Sequence, residues 1–288
     1  MTWTVKDKVC VVTGGNSGIG LSTAIGLARQ GAKTVIVSRN LERGQAAVES
    51  VRTATGVTVD LVQGDLGSLA TTRALAETLL ERYPEIHVLV NNAGLWLAER
   101  TLTPDGLETT FAVNHLGPFL LTNLLLERLI ASGPARIVNV SSAGHRQGKL
   151  KFDDLQAERG YGKVQAYCDS KLCNVLFTRE LARRLEGTGV TTNALHPGVV
   201  NTNLGNKAPA PIKWFMKHFG SYVLTSPEKG ARTSLHVATA PELDGVSGRY
   251  FKSSREVTPS RAARSDEDAR RLWAVSEELA GLCAPLAG

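Results

Sequence analysis

The run Lys8-Val9-Cys10-Val11-Val12 passes without a spacer into Thr13-Gly14-Gly15-Asn16-Ser17-Gly18-Ile19-Gly20, and an amphipathic stretch follows to about Gln30, where Gly31 stops it. Few folds accept that succession. A continuously apolar strand is buried on both faces, as in a parallel sheet covered by helices. Glycines at a strand-to-helix turn let the backbone approach a bound group, and the helix start adds N–H donors and a positive dipole end. The stretch therefore reads as strand, phosphate-binding turn and helix. Its spacing, TGxxxGxG over Thr13, Gly14, Gly18 and Gly20, departs from the common GxGxxG. Ser17 heads no nucleophile elbow, because Ile19 rather than glycine stands two residues on.

The same alternation continues along the chain. Short apolar strands are expected at Thr34–Val37, Val57–Val62, His87–Val90, Arg136–Val140, Val190–Ala194 and Gly248–Phe251. Helical stretches separate them at Leu41–Ala54, Leu69–Arg82, about Tyr167–Leu185, from Pro227, and at Asp266–Gly281 within a C-terminal segment spanning 265–283. Thr103-Pro104-Asp105 reads as N-cap, N1 and N2 of a further long helix that carries Asn114 and meets Pro118 midway. Proline there frees a carbonyl, and an Asn beside the break can engage backbone or hold water. Alternating strands and helices over 288 residues predict one α/β domain, 1–288, with a Rossmann-type doubly wound parallel sheet of about seven strands flanked by helices. Residues 203–226, with Trp214, Phe215, Met216, Phe219 and Tyr222, read as a substrate lid, against the plainer reading of a peripheral helix.

Chemistry concentrates at the strand ends. After the second strand come Ser38, Arg39 and Asn40, with no acid to hold ribose hydroxyls; an arginine there suits a 2′-phosphate and favours NADP over NAD. Asp65 and Leu66 follow the third strand where an adenine would lie. Small and amide residues, Asn92-Ala93-Gly94, let the chain after the fourth strand pass close to a cofactor. Ser141-Ser142 end the fifth strand, and by alternation one of the two faces the site. Tyr167 and Lys171 stand four apart on one helix face, where a lysine cation favours the phenolate. No other tyrosine in the chain has that partner.

Lys and Arg number 33 against 27 Asp and Glu, spread without a basic stripe, so a nucleic-acid partner is not expected. The excess suits a polyanionic cofactor. The four cysteines form no CxxC, the N-terminus Met1–Lys8 reads as neither signal peptide nor anchor, and no apolar run spans a bilayer. A cytoplasmic protein with free thiols and no membrane span is expected. The six histidines lack ligand spacing, so no metal is expected.

Together, Thr13-Gly14-(x)3-Gly18-Ile19-Gly20, Asn91-Asn92-Ala93-Gly94, Asn114, Ser142, Tyr167-(x)3-Lys171 and Pro197-Gly198 resemble the short-chain dehydrogenase/reductase family from end to end. Ser38-Arg39-Asn40, Asn114–Gly117, Val140–His145 and Ala166–Leu172 look most like its retinol dehydrogenase and WW-domain oxidoreductase branch. The resemblance implies Tyr167 as general acid/base, Lys171 as the group that lowers its pKa and holds the nicotinamide ribose, Ser142 as the group that orients a carbonyl, and Asn114 in a water-linked proton path. It also implies cofactor contacts at Asn16, Ser17, Val200 and Thr202 besides those already named. The expected activity is NADP(H)-dependent interconversion of an apolar alcohol with its aldehyde or ketone. Two rivals are a catalytically silent NADP-sensing protein and a sugar-nucleotide epimerase or dehydratase. A homo-oligomer is left open.

Overall fold

The computed structural model describes residues 2–198 and 226–282. Val9–Thr13 (β1), Gly18–Arg29 (α1), Lys33–Ser38 (β2), Leu41–Thr55 (α2), Asp60–Gln63 (β3) and Leu69–Arg82 (α3) form the first half. Val88–Asn91 (β4) opens the second, followed by the helical turn Thr109–Phe111 (α4), a π-helical turn Ala112–Leu116 and Gly117–Ala131 (α5). Ala135–Val140 (β5), Lys163–Arg184 (α6), Val190–His196 (β6), Pro227–Thr239 (α7), Tyr250–Lys252 (β7), Arg255–Glu256 (β8) and Asp266–Ala280 (α8) follow.

The strands form one sheet in the order β3-β2-β1-β4-β5-β6-β7-β8, parallel except for the last pair. Seven strands were expected; the eighth is a two-residue antiparallel edge that no hydrophobic pattern marks. The chain winds outward from β1 to β3, then returns to β4 on the other side of β1. That reversal opens a crevice at the carboxyl ends of β1 and β4.

The unbroken apolar run at β1 is explained by two cores. Val9 and Val11 join Val35, Leu89, Ile137 and Ala194 on the face covered by α3, α5, α6 and α8. Cys10 and Val12 face the other way, with Val88, Val90, Val138, Leu195 and Trp3 beneath α1 and α7. Side chains alternate across the strand, and both sides are dry.

Thr103-Pro104-Asp105 is not a helix start. Gly106 has φ +76°, and Thr103 closes a loop in which its N–H donates to the Leu107 carbonyl at 2.8 Å. Helix begins at Thr109 instead, capped by the buried Glu108 carboxylate, which accepts from the Thr110 and Phe111 N–H groups at 2.8 and 2.7 Å. The C-terminal helix also ends earlier than expected, at Ala280, where Gly281 takes φ +62°. The proposed lid 203–226 lies outside the described residues except for Ser226, which is the N-cap of α7.

Candidate active site

Several chain segments meet at the crevice, many of them locked by their own polar contacts. The Thr13 hydroxyl accepts from the Asn92 and Ala93 N–H groups at 3.0 and 3.1 Å, and Asn92 Nδ2 donates to the Thr13 carbonyl at 2.9 Å. These bonds tie the turn after β1 to the chain leaving β4. Gly14 takes φ +64° there. A Cβ on Gly20 would collide with the Gly14 carbonyl and stand 2.5 Å from Asn92 Nδ2. Ser17 is the N-cap of α1 but makes no side-chain cap bond, so the first-turn N–H groups beside Gly18 and Ile19 remain available at the cleft.

At the carboxyl end of β2, the Ser38 hydroxyl donates to the Asn40 carbonyl at 2.8 Å, and Asn40 Oδ1 caps α2 by accepting from the Arg43 N–H at 2.8 Å. Those two side chains shape the turn. Arg39 and Arg43 then line the cleft, and neither has an acidic partner among the described residues. Asp65 and Leu66 form the wall opposite, with the Asp65 carboxylate accepting from the Gly67 N–H at 2.9 Å.

At the far end, Tyr167 and Lys171 project from α6 into the same cleft. Lys171 Nζ donates to the Val140 carbonyl at 3.1 Å and lies 5.7 Å from the Tyr167 ring centre. The Ser141 hydroxyl donates to the Lys171 carbonyl at 2.7 Å, which leaves Ser142 as the serine free to meet a ligand. Asn114 is fully buried: its Oδ1 accepts from the Leu95 N–H at 2.7 Å, and its Nδ2 donates to the Leu95 carbonyl and the Ser170 hydroxyl, both at 2.9 Å. Its side chain therefore engages backbone, as the sequence allowed. Pro118 has no N–H to offer the Asn114 carbonyl, and the π-helical turn absorbs that break. Gly94 explains the closeness of the parts, since a Cβ there would be 3.3 Å from both Asn114 Oδ1 and Lys171 Nζ.

Electrostatically, burial dominates. It pushes the Tyr167 phenol above its ordinary value, with the nearby Ser142 hydroxyl opposing, so the lowered phenol expected from the lysine spacing is not found. Burial also brings Lys171 down to about 8.

The resulting cleft of about 640 Å³ runs from Arg39 to Tyr167 and is continuous along Thr13, Asn16, Ala93, Pro197 and Gly198. Val200 and Thr202 lie outside the described residues. Sequence reasoning passed over Arg43, Leu95, Trp96, Leu97, Val113 and His196, which also line it. Arg43 could have been found as the N3 residue after an Asn cap, one turn from Arg39. Trp96 carries no pattern; its indole N–H donates to the Lys163 carbonyl at 2.9 Å, a contact between the loop after β4 and the distant first residue of α6. The cradle fits a dinucleotide: close-approach glycines, an open helix start for a pyrophosphate, and cationic groups at one end. No cluster of metal-binding side chains occurs among the described residues, and no described helix is long and apolar enough to cross a membrane.

The family model for short chain dehydrogenases matches residues 8–212. Retinol dehydrogenase 12 of Homo sapiens is 48% identical over 280 residues, covering 96% of this chain and 88% of that protein. Retinol dehydrogenase 13 of Homo sapiens is 44% identical, covering 98% and 87%. Among solved structures, an uncharacterized protein from Mycobacterium Paratuberculosis superposes with a TM-score of 0.79 at 33% identity, covering 99% and 97%. L-Sorbose reductase from Gluconobacter frateurii, solved with NADPH and L-sorbose, shares the fold at a TM-score of 0.70 and 22% identity, covering 87% and 96%.

Proposed function

The chain belongs to the short-chain dehydrogenase/reductase family, in its retinol dehydrogenase branch, and on that premise we propose that it is an NADP(H)-dependent oxidoreductase interconverting an apolar alcohol with its aldehyde or ketone. The observation that carries this reading is the convergence of Ser142, Tyr167 and Lys171 on one end of a cleft whose other end carries Arg39 and Arg43. When bound, the dinucleotide supplies the hydride, which no side chain here can carry.

The protein's own residues do the rest. Turn N–H groups around Gly14 to Ile19 hold the pyrophosphate, and Arg39 with Arg43 meets a 2′-phosphate by charge-assisted hydrogen bonds. Ser142 donates to the substrate oxygen and fixes its distance from Tyr167. In reduction, the Tyr167 phenol gives its proton to that oxygen. At neutral pH the phenol is in this proton-giving form, its ordinary pKa being about 10. Lys171 would hold the nicotinamide ribose, and Asn114 fixes Leu95 and α6 relative to each other. Leu95, Trp96, Leu97 and Val113 make the wall apolar, which supports an apolar substrate. The names of the relatives point to the same class.

The test is a screen of NADPH consumption over apolar aldehydes and ketones, retinal included, repeated with Tyr167→Phe. Turnover should fall by at least about a hundredfold in that variant, while cofactor binding persists. Undiminished activity in the variant would refute the assignment.

A further inference from the structure

Several donors converge on the carbonyl oxygen of Ser142. They are the His145 backbone N–H at 3.2 Å, His145 Nδ1 at 2.7 Å and the Tyr250 hydroxyl at 3.3 Å. His145 and Tyr250 also touch each other, with Nδ1 and the hydroxyl 3.2 Å apart and ring centres separated by 4.7 Å. On the far side of the imidazole, Nε2 lies 3.1 Å from the backbone N–H of Ser260. A backbone N–H can only donate, so Nε2 is the acceptor of that bond. A neutral imidazole then carries its single proton on Nδ1 and gives it to the Ser142 oxygen. The Tyr250 hydroxyl, facing an N–H, donates to the same oxygen. The network thus assigns one tautomer, because a proton on Nε2 would confront the Ser260 N–H. The ring is fully buried, and burial holds its pKa below the ordinary histidine range, with the neighbouring Arg146 cation pushing the same way.

The proton chemistry described above uses neither His145 nor Tyr250. Both act on the residue that presents the hydroxyl. We propose that His145, held as its Nδ1–H tautomer by Ser260 and backed by Tyr250, is the positioning residue that fixes Ser142 so that its hydroxyl meets the reacting carbonyl beside Tyr167. The inference rests on the roles of Ser142 and Tyr167 under the proposed function. Its physical case is the exposure of Ser142 to movement. The residue stands two positions beyond the end of β5 and caps the 3-10 turn Ala143–Gln147, so it lies outside the sheet's own strand pairing. Its Oγ already accepts from the Gly144 N–H at 3.1 Å, which leaves the hydroxyl proton for a ligand. The Ser142 carbonyl and Oγ are both bonded to the turn Ala143–Gln147, through the His145 and Gly144 N–H groups, so pinning the carbonyl with the His145 and Tyr250 side chains holds in place the turn that orients the hydroxyl. Displacement of a reacting group by about 1 Å costs on the order of a hundredfold in rate.

The experiment combines kinetics with nitrogen-15 spectra of the histidines, recorded on the full chain with NADPH at neutral pH. His145 should show the neutral Nδ1–H pattern. His145→Ala should lower kcat by about tenfold or more with the NADPH KM within about twofold, because only the reacting geometry is lost. His145→Asn, whose amide N–H sits near the Nδ1 position, should restore most of kcat. Tyr250→Phe keeps the ring packing and removes one donor, so it guards against a folding artefact and should lower kcat by about threefold to tenfold. An Nε2–H or doubly protonated ring, an Asn variant no better than Ala, or wild-type kcat in the Ala variant would overturn the proposal. A wild-type protein that turns over no carbonyl removes the functional reading and this role with it. An active wild type indifferent to His145→Ala removes this role alone.

Discussion

Lys171 carries its ammonium where burial disfavours charge, and its pKa falls from 10.5 to about 8. Below about 8 the folded protein bears the full cost of that buried cation. Between about 8 and 10.5 the unfolded chain binds a proton that the folded one has lost, so this group makes stability rise with pH across that window. Lys171→Met removes the charge and keeps the stem. One pKa unit is worth about 1.4 kcal/mol, and the lost bond to the Val140 carbonyl gives back roughly 1 kcal/mol or more. The cofactor-free variant should therefore gain about 2 kcal/mol at pH 7, roughly 4–8 °C in Tm, shrinking toward nothing at pH 10. Thermal melts at the two pH values check this, and a lower Tm at pH 7 would show that the hydrogen bond outweighs the charge. Turnover should fall at every pH. The Tyr167–Lys171 pair was legible because its i,i+4 spacing survives in any helix. The direction of the tyrosine shift was not legible, because spacing says nothing about how much water a folded cleft admits.

At the level of elements, the helix that carries Asn114 is the informative case. A proline inside it was visible, and so was the break it makes; the π-helical turn Ala112–Leu116 is how the chain accommodates that break. Its true start was hidden, because Thr103-Pro104-Asp105 has the composition of a cap while Gly106 turns the backbone left-handed. Glu108 is the cap, and only its burial against the Thr110 and Phe111 N–H groups reveals it. The π-turn is steadied from outside by α8. His115, beside Asn114, meets the Ser276 hydroxyl through Nε2 at 2.8 Å and packs among Phe111, Phe119 and Phe177. Burial brings its pKa to about 3, so the ring is neutral, and Nδ1 has no hydrogen-bond partner among the described residues. Ser276→Ala would leave the ring without a polar partner. The expected cost is about 1–3 kcal/mol, read as a drop in the urea midpoint at unchanged m-value. A destabilisation below about 0.5 kcal/mol would mean that water or Asn174 takes over the bond.

Across the whole molecule, the strand order decides which residues can share a ligand. Because β2 and β3 lie on one side of β1 and β4, β5 and β6 on the other, Arg39 and Asp65 reach the cleft from one end and Ser142, Tyr167 and Pro197 from the other. Alternation of strands and helices made that arrangement readable. Contacts between loops were not readable: Tyr161 donates to the Leu97 carbonyl at 3.2 Å and Arg100 to the Gln156 carbonyl at 3.0 Å, clasping the segment before α6 onto the cleft wall with no local pattern to announce it. Arg43 differs, since its place one turn from Arg39 was readable from the Asn40 cap, while its lack of an acidic neighbour among the described residues shows only in the fold. That pairing sets the last expectation. Charge-assisted hydrogen bonds contribute roughly 1.5–3 kcal/mol each, so Arg43→Ala should raise the KM for NADPH by about tenfold to a hundredfold and leave that for NADH within about twofold. Both side chains are exposed and screened by salt, so the preference for NADPH that the proposed function entails should narrow as ionic strength rises from about 0.05 to 0.5 M, while the double Ala variant at 39 and 43 should show little salt dependence. Parallel steady-state titrations with the two cofactors decide it. Equal losses for NADPH and NADH would place the arginines on a feature common to both dinucleotides, and the 2′-phosphate would have to be met elsewhere or not at all.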